Sequence, residues 1–394
     1  TVAESISGLA SVAGDLATTA DNTTNVGTVA ITQGTLTNAN NSNYAITFTN
    51  GTLTIGKATL TVTADNKSKT YGDANPTLTY TITGYKNSQT SSVLTGAPSI
   101  TTLAGTGSNV GSYTITSAAN NLAATNYQFS YANGSLTISR RPISVTAADK
   151  SRVYGDSNPA LTYAVATDNG TTRGLYSTDT LTGSLATTAD NTTNVGTVAI
   201  TQGTLTNANN SNYAITFTNG TLTIGKATLT VTADNKSKTY GDANPTLTYT
   251  ITGYKNSQTS SVLTGAPSIT TLAGTGSNVG SYTITSAANN LAATNYQFSY
   301  ANGSLTISRR PISVTAADKS RVYGDSNPAL TYAVATDNGT TRGLYSTDTL
   351  TGSLATTADN TTNVGTVAIT QGTLANSNYD ITFNNGTLSI TKKT

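Results

Sequence analysis

Apolar and polar residues alternate one for one along most of this chain, in short runs bounded by Gly, Asn, Asp and Pro. A period of two places one face inward and one in water, the mark of a half-buried strand rather than a helix. Within residues 57–140 the pattern predicts strands over Thr59–Thr63, Leu78–Ile82, Pro98–Thr102 and Val110–Thr116. Asp65–Lys69 reads as a polar connection. Tyr85–Thr95 reads as a polar loop with room for one short helical turn and with Val93-Leu94 buried near its end, and Gly105-Thr106-Gly107 turns the chain.

Tyr127, Phe129 and Tyr131 alternate, Asn133-Gly134 follows, and Leu136 and Ile138 alternate after it. Asn-Gly favours a two-residue type I′ turn, so the sequence predicts a β-hairpin with 131 opposite 136 and 129 opposite 138. Asn219-Gly220 repeats the device.

A second device is Tyr71-Gly72-Asp73-Ala74-Asn75-Pro76-Thr77-Leu78-Thr79-Tyr80, which returns at Tyr154–Tyr163, Tyr240–Tyr249 and Tyr323–Tyr332. Gly72 and Gly155 supply φ > 0, and Asp73 and Asp156 bond nearby backbone N–H groups. Pro76 and Pro159 push the residue before them into extended conformation. Asp73 and its copies are also candidates to hold the junction to the preceding module.

Repetition sets the larger order. Residues 16–205 are identical to 185–374, a shift of 169. Each such unit is itself double, which divides the chain into a partial module (1–56), type A modules (57–140 and 226–309) and type B modules (141–225 and 310–391). Residues 392–394 resemble the opening of a next module, and the lack of any Met, the initiator included, implies a segment cut from a longer reading frame. The incomplete first module is a candidate acceptor of a strand from another copy of the chain. Long identity implies recent duplication, tolerated where each unit folds alone. Linkers as short as Arg140-Arg141-Pro142 and Gly225-Lys226 imply a stiff array.

Composition narrows the chemistry. Charged residues make up 10% with net charge +2, which gives no electrostatic case for nucleic acid or a membrane surface. His and Cys are absent, removing the usual general base, thiol nucleophile and transition-metal ligands. No apolar run is long enough to cross a bilayer. Asp65 with Asp73, and Asp168, Asp179 and Asp190, all sit beside turn-formers, so no carboxylate pair points to hydrolysis, and the chain is not expected to be an enzyme or to hold a cofactor. Asp65-Asn66 and Asp149-Lys150 offer oxygen ligands for calcium, without the spacing of a calcium loop. Lys57 or Lys67 is the candidate donor of a Lys–Asn crosslink. Tyr85, Tyr176, Tyr254 and Tyr345 lie in polar loops and are candidate glycan contacts, against the plainer reading that they cap the core with the hydroxyl wet. Sequons such as Asn22-Thr23-Thr24 are expected by chance in so Thr-rich a chain.

Lys69–Tyr80, Val110–Thr116 and Asn126–Ile138, with their copies, resemble the MBG/YDG repeat domains of large bacterial surface adhesins. In residues 141–225 Val198 replaces the Tyr of the third element, Tyr113 in residues 57–140. Such domains are common in filamentous-haemagglutinin-like exoproteins exported by two-partner secretion. The resemblance implies an extracellular β-rich stalk or matrix fibre and an outer-membrane secretion partner, and it carries over no binding residues. The expected fold is mostly β, a tandem array of small β-sandwich or β-grasp-like modules joined end to end into an extended rod. The expected role is mechanical, in a bacterial adhesin or biofilm fibre. Polysaccharide binding and self-polymerisation by strand addition are the alternatives, with polysaccharide or another copy of the chain as partner.

Overall fold

The structure is a computed structural model that describes residues 11–169, 173–337 and 342–394. No α-helix occurs among them. The first segment forms one antiparallel sheet from β1 (Ala17–Thr18), β2 (Gly27–Thr32) and β3 (Gly51–Ile55), and residues 1–10 of the partial module lie outside the described residues.

Residues 57–140 carry β4 (Ala58–Ala64), β5 (Lys67–Thr70), β6 (Tyr80–Thr83), β7 (Ser99–Thr102), β8 (Gly111–Ala118), β9 (Tyr127–Ala132) and β10 (Gly134–Ser139). They make two sheets, ordered β6-β4-β9 and β5-β10-β8-β7. Both are mixed: β4 runs parallel to β9, and β10 runs parallel to β5 but antiparallel to β8. Residues 141–225 follow the plan with β11 (Arg141–Ala147), β12 (Lys150–Val153), β13 (Tyr163–Val165), β14 (Gly196–Ile200), β15 (Tyr213–Thr218) and β16 (Gly220–Gly225), ordered β13-β11-β15 and β12-β16-β14. Residues 226–309 and 310–391 repeat the two arrangements.

Two local expectations are corrected. Asn133-Gly134 is no hairpin turn, because β9 and β10 belong to different sheets. Phe129 pairs with Leu60 and Tyr131 with Val62, while Leu136 lies between Lys67 and Tyr113. The alternation is satisfied as well by parallel neighbours as by a hairpin partner. Neither Gly134 nor Gly220 has positive φ. What Gly134 supplies is room, since a Cβ there would overlap the carbonyl of Ala64. Asn133 Oδ1 accepts the Ser117 N–H at 3.0 Å, pinning the crossing. Asn219-Gly220 likewise separates β15 from β16.

The second correction concerns Asp65–Lys69, whose polar residues conceal the start of strand β5. Its backbone pairs with β10, which needs no apolar side chain. Lys69 is nonetheless buried, its Nζ donating to the carbonyls of Asp73 (3.0 Å) and Gly105 (2.6 Å). Burial pulls its pKa below the ordinary lysine value, with Asp73 opposing the shift.

The backbone divides into two compact units. One ends its first stretch at Ala148 and also takes in Leu161–Thr187 and Ala199–Gly220; the other holds Asp149–Ala160, Thr188–Val198 and Thr221–Thr394. The division runs through residues 141–225, assigning β11, β13 and β15 to the first unit and β12 to the second. Sequence repeats and compact units therefore do not coincide, because burial continues from one repeat into the next.

Candidate functional site at the module junctions

Only Arg140 separates β10 from β11, and only Lys226 separates β16 from the strand Ala227–Ala233. Alternation slips by one residue at each link, where two successive residues stay out of the core, and the inward-facing residues on both sides still share one core. Ala64, Tyr71, Ile115, Leu136 and Ile138 of one module cluster with Ile143, Val145, Leu205 and Tyr213 of the next. The same cluster recurs where Ile284, Leu305 and Ile307 meet Ile312, Val314 and Tyr379. Each fully buried Leu, Ile or Val contributes ~1.5–3 kcal/mol, against ~0–1 for an exposed ion pair. Burial thus dominates the junction, and the modules are not self-contained cores.

An asparagine clasp sits beside the core. Asn212 Oδ1 accepts the Val110 N–H at 3.0 Å, and its Nδ2 donates to Asn109 Oδ1 at 2.8 Å. The same pair of bonds links Asn126 to Val26 and Asn25, Asn295 to Val195 and Asn194, and Asn378 to Val279 and Asn278. These residues are absent from the sequence-derived candidates. Their signal was available as an Asn ahead of Val-Gly in one module and an Asn ahead of Tyr in the next, recurring in phase.

The Tyr-Gly-Asp turn supplies the rest. Tyr71 packs edge-on to Tyr176 and Tyr213, with centroids 5.4 and 5.7 Å apart. Its hydroxyl donates to Asp179 Oδ2 at 2.9 Å, and the Tyr213 hydroxyl donates to the same oxygen. Burial, with Asp179 alongside, holds the phenols of Tyr71 and Tyr213 above the ordinary tyrosine range. Gly72 adopts φ +82°, and a Cβ there would stand 2.7 Å from the Tyr176 ring. Asp73 binds Arg173 and lies 3.7 Å from buried Arg141, which also reaches Asp168 at 2.9 Å and the Gly174 carbonyl at 2.7 Å. Asp73 therefore holds the following module, not the preceding one. Pro76 and Pro159 are half-buried in the stretch leading out of the turn.

The next junction keeps the turn and changes its partners. Tyr154 meets Tyr296 edge-on at 5.6 Å, Gln258 Nε2 donates to the Tyr154 hydroxyl at 3.0 Å, and Asp156 pairs with Lys255 at 3.0 Å. Gly155, at φ +85°, again leaves space that the Lys255 side chain fills. The third junction returns to the first chemistry, with Tyr240, Tyr345, Tyr379, Asp348, Asp242, Arg310 and Arg342.

The family model for the MBG domain of YGX type matches residues 3–54, 60–137, 143–223, 229–306 and 312–389. The chain belongs to the MBG domain family. Among solved structures, the I9–I11 tandem of titin is 10% identical over 64% of this chain and 100% of that one, with TM-score 0.20. Drosophila N-cadherin EC1-4 is 6% identical over 72% of this chain and 83% of that one, with TM-score 0.20. No curated protein matches the chain.

The other sequence candidates fall into place on the MBG framework. Tyr176 and Tyr345, read as candidate glycan contacts, belong to the junctions: their rings pack on Tyr71 and Tyr240, and the Tyr176 hydroxyl donates to Thr106 Oγ1 at 3.2 Å. Tyr85 and Tyr254 instead line open grooves. Asp65 accepts from the Thr79 and Thr81 hydroxyls, and Asp190 from Thr192 and Thr193, both turn and strand roles. Among the described residues no three acidic side chains converge as a metal site. Lys57 Nζ donates to the Ala124 carbonyl at 3.2 Å.

Proposed function

We propose that this chain is a structural repeat segment of a secreted bacterial surface protein, an adhesin or biofilm-matrix fibre, in which tandem MBG domains provide length and stiffness. The observation that carries this reading is the junction: a one-residue link, a shared buried cluster and an asparagine clasp make bending there cost burial and hydrogen bonds together. The carboxylates of Asp73, Asp168 and Asp179 are taken up by Arg and Tyr partners at the same place, so the reading gives them a positioning task and no catalytic one.

The experiment is small-angle scattering of chains carrying one or two copies of the 169-residue repeat, with protease shaving of intact cells to locate the parent protein. A constant gain in maximum dimension per repeat, and digestion from outside the cell, support the reading. Insertion of a repeat without a matching gain in length, or a protease-protected parent, overturns it.

A further inference from the structure

We propose that each type A module carries a binding site for a neutral oligosaccharide, in the groove beside Tyr80 and Tyr85 and in its copy beside Tyr249 and Tyr254. The first groove has a volume of about 510 Å³ and the second about 490 Å³. Tyr80, 39% exposed, and Tyr85 both line the first groove. Ile82, Leu94 and Leu122 add apolar surface, and Thr81, Thr90 and Ser91 bring hydroxyls.

Three observations select the ligand. Among the described residues no Asp, Glu, Lys or Arg lines either groove, so nothing described there balances a charged sugar, a phosphate or a basic peptide. Tyrosine rings beside hydroxyl groups match a sugar ring, whose faces present C–H bonds and whose rim presents hydroxyls. The Tyr85 side is also fixed before any ligand arrives. Tyr85 packs edge-on to buried Tyr127 at 6.2 Å, and the Tyr127 hydroxyl accepts the Lys86 N–H at 2.9 Å while donating to Gln89. The 3-10 turn Ser91–Val93 follows directly, capped by Thr90.

Type B modules lack the components. Tyr127 of the A module bonds Lys86 N as Tyr213 of the B module bonds Tyr176 N, which aligns Lys86 with Tyr176 and places Leu175 where Tyr85 stands. By the same alignment Asp179 replaces Gln89, and three residues are missing between there and the next Gly, where the Ser91–Val93 turn stands in the A module. The loop serves a junction in both, through Tyr176 and Asp179 in the B module and through Lys255 and Gln258 in the A module. Sites thus recur at the 169-residue spacing of the A modules, an arrangement suited to multivalent capture of a long polysaccharide.

The test is affinity electrophoresis of the full chain through gels containing dextran, a neutral β-glucan or alginate, beside the Tyr80→Ala/Tyr249→Ala variant. Both tyrosines are exposed, and the variant is checked for an unchanged melting curve. Retardation by at least one neutral glycan and not by alginate, weakened about tenfold or more in the variant, is the expected result. Retardation by alginate alone, no retardation in any gel, or equal retardation of the variant overturns the proposal. So does a groove occupied by peptide: the free edge of β6 lies alongside, and tyrosine fluorescence titration with an extended Thr-rich peptide that saturates and displaces the glycan would assign the groove to strand addition instead.

Discussion

Asn212 grips Asn109 across 103 residues of sequence: its Nδ2 donates to Asn109 Oδ1 at 2.8 Å, while its own Oδ1 accepts the N–H of the adjoining Val110. One side chain thereby satisfies a donor and an acceptor of the neighbouring module. Asn212→Ala leaves the half-buried Val110 N–H unpaired while exposed Asn109 turns to water, at an expected cost of ~0.5–1.5 kcal/mol. Denaturant unfolding measures the loss, and hydrogen exchange at the Val110 amide accelerates in the variant. Unchanged exchange there would remove the clasp from the account.

Gly134 and Gly105 form a matched pair of tests. A Cβ at Gly134 overlaps the Ala64 carbonyl, whereas one at Gly105 meets nothing within 4 Å. Gly134→Ala is expected to cost ~1–3 kcal/mol by overpacking, and Gly105→Ala to stay within ~0.5 kcal/mol of the parent. Thermal melts of the two variants decide it.

These glycines also show what was legible in the sequence. Period-two alternation placed β4, β7 and β8 closely, because one-sided burial writes itself into side chains. It could not say which strands pair. Tyr127–Tyr131 and Leu136–Ile138 carry the pattern of a hairpin, yet their partners are Ala58–Val62 and Lys67–Lys69. Strand β5 was invisible for the opposite reason, since Lys67-Ser68-Lys69-Thr70 enters the sheet by its backbone alone. The Tyr-Gly-Asp turn was legible as a turn. Its role depends on Arg141, Arg173 and Asp179, which lie about 70 to 110 residues further on, and no local pattern connects them.

The two junction chemistries should respond differently to truncation. Arg141 is buried and serves Asp73, Asp168 and the Gly174 carbonyl together, so Arg141→Ala is expected to cost ~1–3 kcal/mol. Lys255 and Asp156 are both more than a third exposed, and Lys255→Ala is expected to cost at most ~1 kcal/mol, a difference that 0.5 M salt largely abolishes. Urea midpoints at low and high salt compare them.

Alkaline pH provides a separate handle. Tyr71, Tyr213, Tyr240 and Tyr379 all have phenols whose pKa is raised by burial, with Asp179 or Asp348 accepting a hydrogen bond from each. The unfolded chain releases these protons near pH ~10, before the folded chain does. Stability is therefore full below pH ~10 and falls as pH rises beyond it. Melting temperature recorded between pH 8 and 11.5 should decline on the alkaline limb, and Tyr213→Phe should flatten that decline.

The crossing at Asn133-Gly134 has a mechanical meaning. The chain enters the module along β4 and leaves along β10, directly after β9, the parallel neighbour of β4 from Ala58↔Tyr127 to Thr63↔Ala132. Tension on the two ends drags these neighbours in opposite directions along their own axes. All rungs of that ladder then resist at once, in shear, where a hairpin at the same place would have peeled open one hydrogen bond at a time.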